Sequence, residues 1–208
     1  MNEKQTRKLI EIARQKNLFL MEAIWSRCFP VYKELRRIIE SGEIGEVMEV
    51  AVQLGFPMSN VERIRSKELG GGVILDLGVY ALQFQQFVFR GLKPNKVVAT
   101  GHLNEEGIDL SASAIITYPG SKTAVVSISS LVQLSSEGIV YGTKGTIKVN
   151  EINSAGLAYQ ADEARKCIRE GKIECEHITH EETIQLAQLM DKLRQELGVV
   201  FPVDSESY

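Results

Sequence analysis

The sequence has few cysteines. Cys28, Cys167 and Cys175 are the only three in 208 residues. They make no C-x-x-C pair and leave an odd thiol, so no disulfide framework is expected and a reducing, cytoplasmic setting fits best. No apolar run approaches the roughly 20 residues of a membrane span. Met1 is followed by Asn2-Glu3-Lys4-Gln5, not by the apolar stretch of a secretory signal. A basic excess is missing as well: 24 Lys and Arg against 27 Asp and Glu give a net charge of −3. The cations are dispersed, apart from Arg36-Arg37 and the group Arg63, Arg65 and Lys67, which disfavours a nucleic-acid partner. Two phosphate-binding signatures are absent. Gly70-Gly71-Gly72 does not start a G-x-G-x-x-G, because Leu75 stands at its third glycine, and no G-x-x-x-x-G-K-[ST] occurs.

What is present is the composition of an ordinary globular protein, 44% apolar and 25% charged. A chain of this size can bury roughly 70% of its unfolded surface without a metal or disulfide to help. Asn2 as N-cap, Gln5 three residues on, and Leu9, Ile10, Ile12 and Ala13 predict a helix over about 3–16. Leu18 to Ile24 is nearly continuously apolar, the pattern of a strand buried on both faces of a parallel sheet. Pro30 and Gly42 bracket a second helix, and alternation from Glu46 to Leu54 predicts a strand with one covered face. A long apolar helix is expected from about Val73 to Phe89. Strands are expected over 96–102, 111–118, 123–134, 139–141 and 146–149, joined by turns at Pro119-Gly120 and Gly142 to Gly145. Two helices close the chain, over about 159–170 and from a Thr179/Glu182 capping box onward. The fold class is α+β, with an open, mostly antiparallel sheet and flanking helices.

Asp76 and Tyr80 lie four apart on the long helix, so both can address one ligand from one face. A phenol can exchange a proton with an alcohol oxygen, but at an ordinary pKa of about 10 it needs a nearby cation to act as a base at neutral pH. The same spacing also suits an acid at a helix start followed by a core tyrosine. Trp25 and Arg27 follow the expected buried strand, and the carboxyl end of a parallel strand is where α/β proteins place ligands. Cys175, His177 and His180 are metal-ligand types in a short span. No second pair has zinc spacing, however, and His180 opens a capped helix, so no metal site is expected.

Several segments together resemble a known family: Leu20-Met21-Glu22-Ala23-Ile24-Trp25, Asp76-Leu77-Gly78-Val79-Tyr80, Tyr118-Pro119-Gly120, Val132-Gln133-Leu134-Ser135 and Gly142-Thr143-Lys144-Gly145. In order, and over nearly the whole chain, they are similar to the dihydrodiol and D-xylose dehydrogenase branch of the glucose-fructose oxidoreductase and inositol dehydrogenase superfamily. The resemblance implies an N-terminal Rossmann domain paired with a C-terminal domain on an open sheet. It also implies a homodimer and NADP-dependent oxidation of a CH–OH group on a sugar or trans-dihydrodiol. By it, Tyr80 is the catalytic acid/base and also contacts substrate, Asp76 helps place the cofactor, and Trp25 and Arg27 border the substrate.

On this alignment residues 1–24 would be the last helix and strand of a truncated dinucleotide-binding domain, and 25–208 the substrate-binding and dimerisation domain. The family's Glu-Lys-Pro segment would fall before Met1. A strand-bearing segment would be missing between Val149 and Ala155, and Glu163 stands where many members have histidine. The chain alone is then expected to be inactive, or to act as a non-catalytic isoform that pairs with a full-length subunit through the open sheet.

Overall fold

The computed structural model describes residues 2–150, 152 and 156–206. Helix α1 spans Glu3–Gln15, and Asn2 caps it through its side-chain oxygen, which accepts from the Gln5 amide. A 3₁₀ turn, Trp25–Cys28, leads into α2, Pro30–Ser41, which stops at Gly42 in the left-handed conformation (φ 72°). Strand β1 runs Val47–Gly55, and a short helix α3 follows at Glu62–Arg65. The long apolar helix is not uniform. Residues Ile74–Gly78 form one π turn before the regular helix α4, Val79–Val88. Strands β2 (Lys96–Leu103), β3 (Asp109–Tyr118), β4 (Lys122–Ser129), β5 (Glu137–Gly142) and β6 (Thr146–Asn150) follow, then helices α5 (Leu157–Arg169) and α6 (His180–Leu197).

The six strands form one open sheet in the order β2-β3-β4-β1-β5-β6. Only β1 with β4 is parallel; the other four pairings are antiparallel, so the expected α+β sheet is present. One face is the core. Val50, Val52 and Leu54 of β1, Ala114 and Ile116 of β3, and Val126 and Ile128 of β4 are buried there, at alternate positions as a pleat requires. Helix α4 lies on that face. A Cβ at Gly138 would come within 2.5 Å of the Phe84 ring, so the missing side chain is what lets the helix settle. Phe84 is completely buried, worth about 1.5–3 kcal/mol of apolar transfer.

The opposite face carries an apolar row in cross-strand register: Val98 beside Ile115, Ile115 beside Val125, Val125 beside Ala51, and Ala51 beside Ile139. Val98 is 48% exposed and Ile115 53%.

Two expected elements are corrected. Leu18 to Ile24 is not a strand. It runs as irregular chain tied down by single bonds, Leu20 N to Ile173 O at 3.0 Å and His180 Nε2 to Leu20 O at 3.0 Å. An apolar run becomes a strand only where neighbours supply a ladder, and no strand lies beside it among the described residues. Helix α1 instead packs on α6. There, Asp191 Oδ2 accepts from Glu3 N at 2.8 Å. The long strand expected over 123–134 ends at Ser129, because Ser130 turns away: its amide and its hydroxyl both donate to Leu110 O at 2.8 Å. The strand-bearing segment expected to be missing between Val149 and Ala155 falls largely outside the described residues.

Candidate active site

The π turn sets the position of the Asp76–Tyr80 face. Asp109, fully buried at the start of β3, accepts from Ile74 N at 2.6 Å. It thereby satisfies a backbone donor at the beginning of the helix. Gly72 makes the approach possible. At φ 114° it adopts a conformation open to glycine, and a Cβ there would sit 2.4 Å from Asp109 Oδ1. Burial pushes the Asp109 carboxyl up from its ordinary range, and the Ile74 amide pulls it back. An extra residue in a helical turn shifts every side chain after it, and such turns recur at functional sites.

From this turn, Asp76 pairs with Arg63 of α3, a residue to which the sequence reading gave no role. The clue was there in the cluster Arg63, Arg65 and Lys67. Tyr80 is half-buried, and its hydroxyl makes no hydrogen bond to another described residue. Its ring meets Trp25 edge to face, with centroids 6.1 Å apart. Trp25 meets Phe29 at 5.9 Å, and Phe29 meets Tyr159 at 5.9 Å. The structure therefore brings Trp25 and Tyr80 together, while Asp76, in the π turn four residues before Tyr80, turns to Arg63. A phenolic hydroxyl with no partner among the described residues, on a ring set against an aromatic wall, can bind and exchange a proton with an alcohol.

Arg27 is elsewhere. Although it sits two residues after Trp25, it is 2% exposed and its donors are consumed by protein. Nε donates to Gln83 Oε1 at 2.6 Å, Nη1 to Glu182 Oε1 and His177 O at 3.1 Å each, and Nη2 to Gln83 O and Gln86 Oε1. A buried guanidinium must have such acceptors, which leaves it no free donor for a sugar. Burial lowers its pKa, and Glu182 opposes that. Arg27 is a fastener between the 3₁₀ turn, α4 and α6, not a group presented to a ligand.

Of the Cys175, His177 and His180 span, His180 turns away. His180 is buried, with Nε2 on Leu20 O, while Cys175 lies with Cys167 and Glu163. Burial pushes the Cys28 thiol up to about 12 and the Cys167 thiol to about 11, so neither is a ready nucleophile at neutral pH. A cleft of about 600 Å³ between the start of β2 and α6 is lined by Lys93, Lys96, Gln185 and Lys192 among others, and by none of Trp25, Asp76 or Tyr80.

Residues 32–148 match the family model described as the GFO/IDH/MocA C-terminal domain. The trans-1,2-dihydrobenzene-1,2-diol dehydrogenase of Xenopus laevis is 36% identical over 97% of this chain and 70% of its own length. The chain belongs to the GFO/IDH/MocA family. The human protein of the same name is 32% identical, over 98% of this chain and 69% of its own. Among solved structures, the Caulobacter crescentus aldose-aldose oxidoreductase complexed with glycerol superposes with a TM-score of 0.85 at 18% identity, covering 95% of this chain and 67% of that one. KijD10, a 3-ketoreductase from Actinomadura kijaniata in complex with TDP-benzene and NADP, gives 0.79 at 18% identity, covering 94% and 66%. These two establish the GFO/IDH/MocA fold and nothing finer. Among the described residues, no helix is long and apolar enough to cross a membrane.

Proposed function

We propose that Trp25, Asp76 and Tyr80 form the substrate side of an NADP-dependent oxidoreductase acting on CH–OH groups of a trans-dihydrodiol or a sugar such as D-xylose. The observation that carries this reading is Tyr80, whose hydroxyl has no hydrogen-bond partner among the described residues and whose ring is set against Trp25, four residues after Asp76. In it, Tyr80 Oη exchanges the proton of the substrate hydroxyl. Trp25 supplies the apolar wall against which a ring of carbons can lie. Asp76, held by Arg63, orders the end of the site nearest the cofactor. Arg27 acts only through the elements it fastens.

The residues present do not make a dinucleotide site by themselves. The chain has no glycine-rich phosphate loop, and its one candidate, Gly70-Gly71-Gly72, is occupied in closing the turn against Ile64 O and Asp109. No step is therefore assigned to NADP here. We assign residues 25–208 to the substrate and dimerisation domain and residues 1–24 to the border with a dinucleotide-binding unit. The exposed row Val98, Ile115 and Val125 supports a homodimer through the open sheet face. Three free thiols favour a cytoplasmic setting.

Two measurements test this. NADPH fluorescence titrated with the chain alone should show no saturable binding in the micromolar range; saturable binding would contradict the division of labour. Joined to the amino-terminal portion of the Xenopus laevis relative, the chain should reduce NADP with a trans-dihydrodiol or D-xylose, and Tyr80→Phe should lower kcat by about 10²- to 10⁴-fold while raising KM only several-fold. A chimera that folds and binds NADP but turns over neither substrate would sink the reading.

A further inference from the structure

All three cysteines of the chain converge from separate elements. Cys28 ends the 3₁₀ turn, Cys167 lies near the end of α5, and Cys175 forms an isolated bridge with Ile178. Each is buried and none is in a disulfide. Glu163 precedes Cys167 by one helical turn, and the Cys167 thiol donates to its Oε1 at 3.8 Å. The ligand-bearing atoms of Glu163, Cys167 and Cys175 all lie within 4.8 Å of one another. His177 flanks this group on the Glu163 side, its Nε2 3.6 Å from Glu163 Oε2.

We propose that Cys167, Cys175, Glu163 and His177 form a binding site for a zinc-class divalent cation, tying α5 to the Cys175–Ile178 bridge. Two thiolates, a carboxylate and an imidazole are a set that zinc accepts in tetrahedral geometry, whereas magnesium and calcium take oxygen ligands. Tetrahedral bonds of about 2.0–2.3 Å put ligand atoms roughly 3.3–3.8 Å apart, so Glu163, Cys167 and Cys175 must contract by about 1 Å and the His177 ring must swing in from beside Glu163. Glu163 and Cys167 are on one helix face and approach together. Two thiolates and a carboxylate would leave a bound dication with one surplus negative charge. Lys166, with Nζ 3.6 Å from Glu163 Oε1, stands beside it. Buried thiols that only fill space need no acid and imidazole at their side; here both lie beside them, as donors that zinc accepts. The cation would also brace the turn that presents Trp25, since α5 packs on that turn.

Cobalt(II) is the probe. The reduced chain, titrated with Co²⁺ under a non-thiol reductant, should take up one equivalent. Thiolate-to-metal charge-transfer absorption and the intense visible bands of four-coordinate cobalt should appear, both removed by added Zn²⁺. Cys167→Ser should lower the charge-transfer band by about half, and Cys167→Ser combined with Cys175→Ser should abolish it. Glu163→Gln keeps the helix surface nearly intact and should weaken Co²⁺ at least about 10-fold. Should the double variant fail to fold by circular dichroism, Glu163→Gln decides alone, and unchanged affinity there overturns the proposal. So does the absence of charge-transfer absorption at excess Co²⁺, or a band that survives in the folded double variant.

Discussion

Tyr80 stands edge-on to Trp25, ring planes at 80° and centroids 6.1 Å apart, so the only tryptophan of the chain reports directly on the hydroxyl at the centre of the proposed site. The contact joins two parts of the chain that the sequence leaves far apart, the 3₁₀ turn after residue 24 and the first turn of α4. Their alignment is fixed from below by Arg27, which bonds Gln83 on α4 and Glu182 on α6 from the turn that carries Trp25.

If Arg27 is a fastener, its loss is felt in stability. Arg27→Met leaves Glu182, with a side chain only 10% exposed, without its cation, and should cost about 3–5 kcal/mol in urea unfolding. Adding Glu182→Gln should recover part of that, because the uncompensated charge is removed. A ligand-contacting Arg27 would give the opposite pattern, with unchanged stability and weakened substrate binding.

The C-terminal end of α6 is held by Arg194, whose Nη1 reaches Asp204 Oδ2 at 2.7 Å. That guanidinium holds the Asp204 carboxyl well below the usual carboxylate range, with Asn2 and the Phe201 amide assisting. A depressed acid contributes stability above its unfolded value, near pH 4, and the contribution is lost as pH falls through the folded value. The difference in urea midpoint between the native chain and Asp204→Asn should therefore be constant above about pH 5 and shrink steadily below about pH 4. A difference that grows on acidification would contradict the pairing.

The open sheet face makes a prediction about mass. Ile115 lies mid-row and is 53% exposed, so Ile115→Arg places a charge in the centre of the proposed dimer contact. Sedimentation should show a dimer for the native chain and a monomer for the variant, with monomer stability changed by less than about 0.5 kcal/mol. Equal mass for both would remove this face from consideration.

Much of the architecture is legible in the sequence because its signals are local. The Asn2 cap, the Thr179/Glu182 box and Gly42 stand where the helices begin and stop. Strand alternation gave the core face for the same reason. What failed depends on partners that local pattern does not specify. Leu18 to Ile24 has strand composition but no ladder. Arg27 is polar by type and buried by virtue of Gln83 and Gln86 on α4, Glu182 on α6 and the His177 carbonyl before it. The π turn leaves no mark in the apolar run from Val73, since it follows from Asp109 and Gly72 meeting across the fold. For the proposed site, the spacing of Asp76 and Tyr80 suited a ligand face and a core tyrosine alike and the resemblance singled them out, while Arg63 and the Glu163–Cys167–Cys175 group required the chain to be folded.

Trp25 fluorescence, titrated with a trans-dihydrodiol and with D-xylose, tests the placement of the site most directly. The account predicts saturable quenching or shift by at least one of them, with Tyr80→Phe leaving the unliganded spectrum nearly unchanged while weakening binding several-fold, as the loss of one hydrogen bond of about 0.5–1.5 kcal/mol requires. A spectrum indifferent to both compounds, or binding equally tight in Tyr80→Phe, would show that the hydroxyl beside Trp25 does not face the substrate.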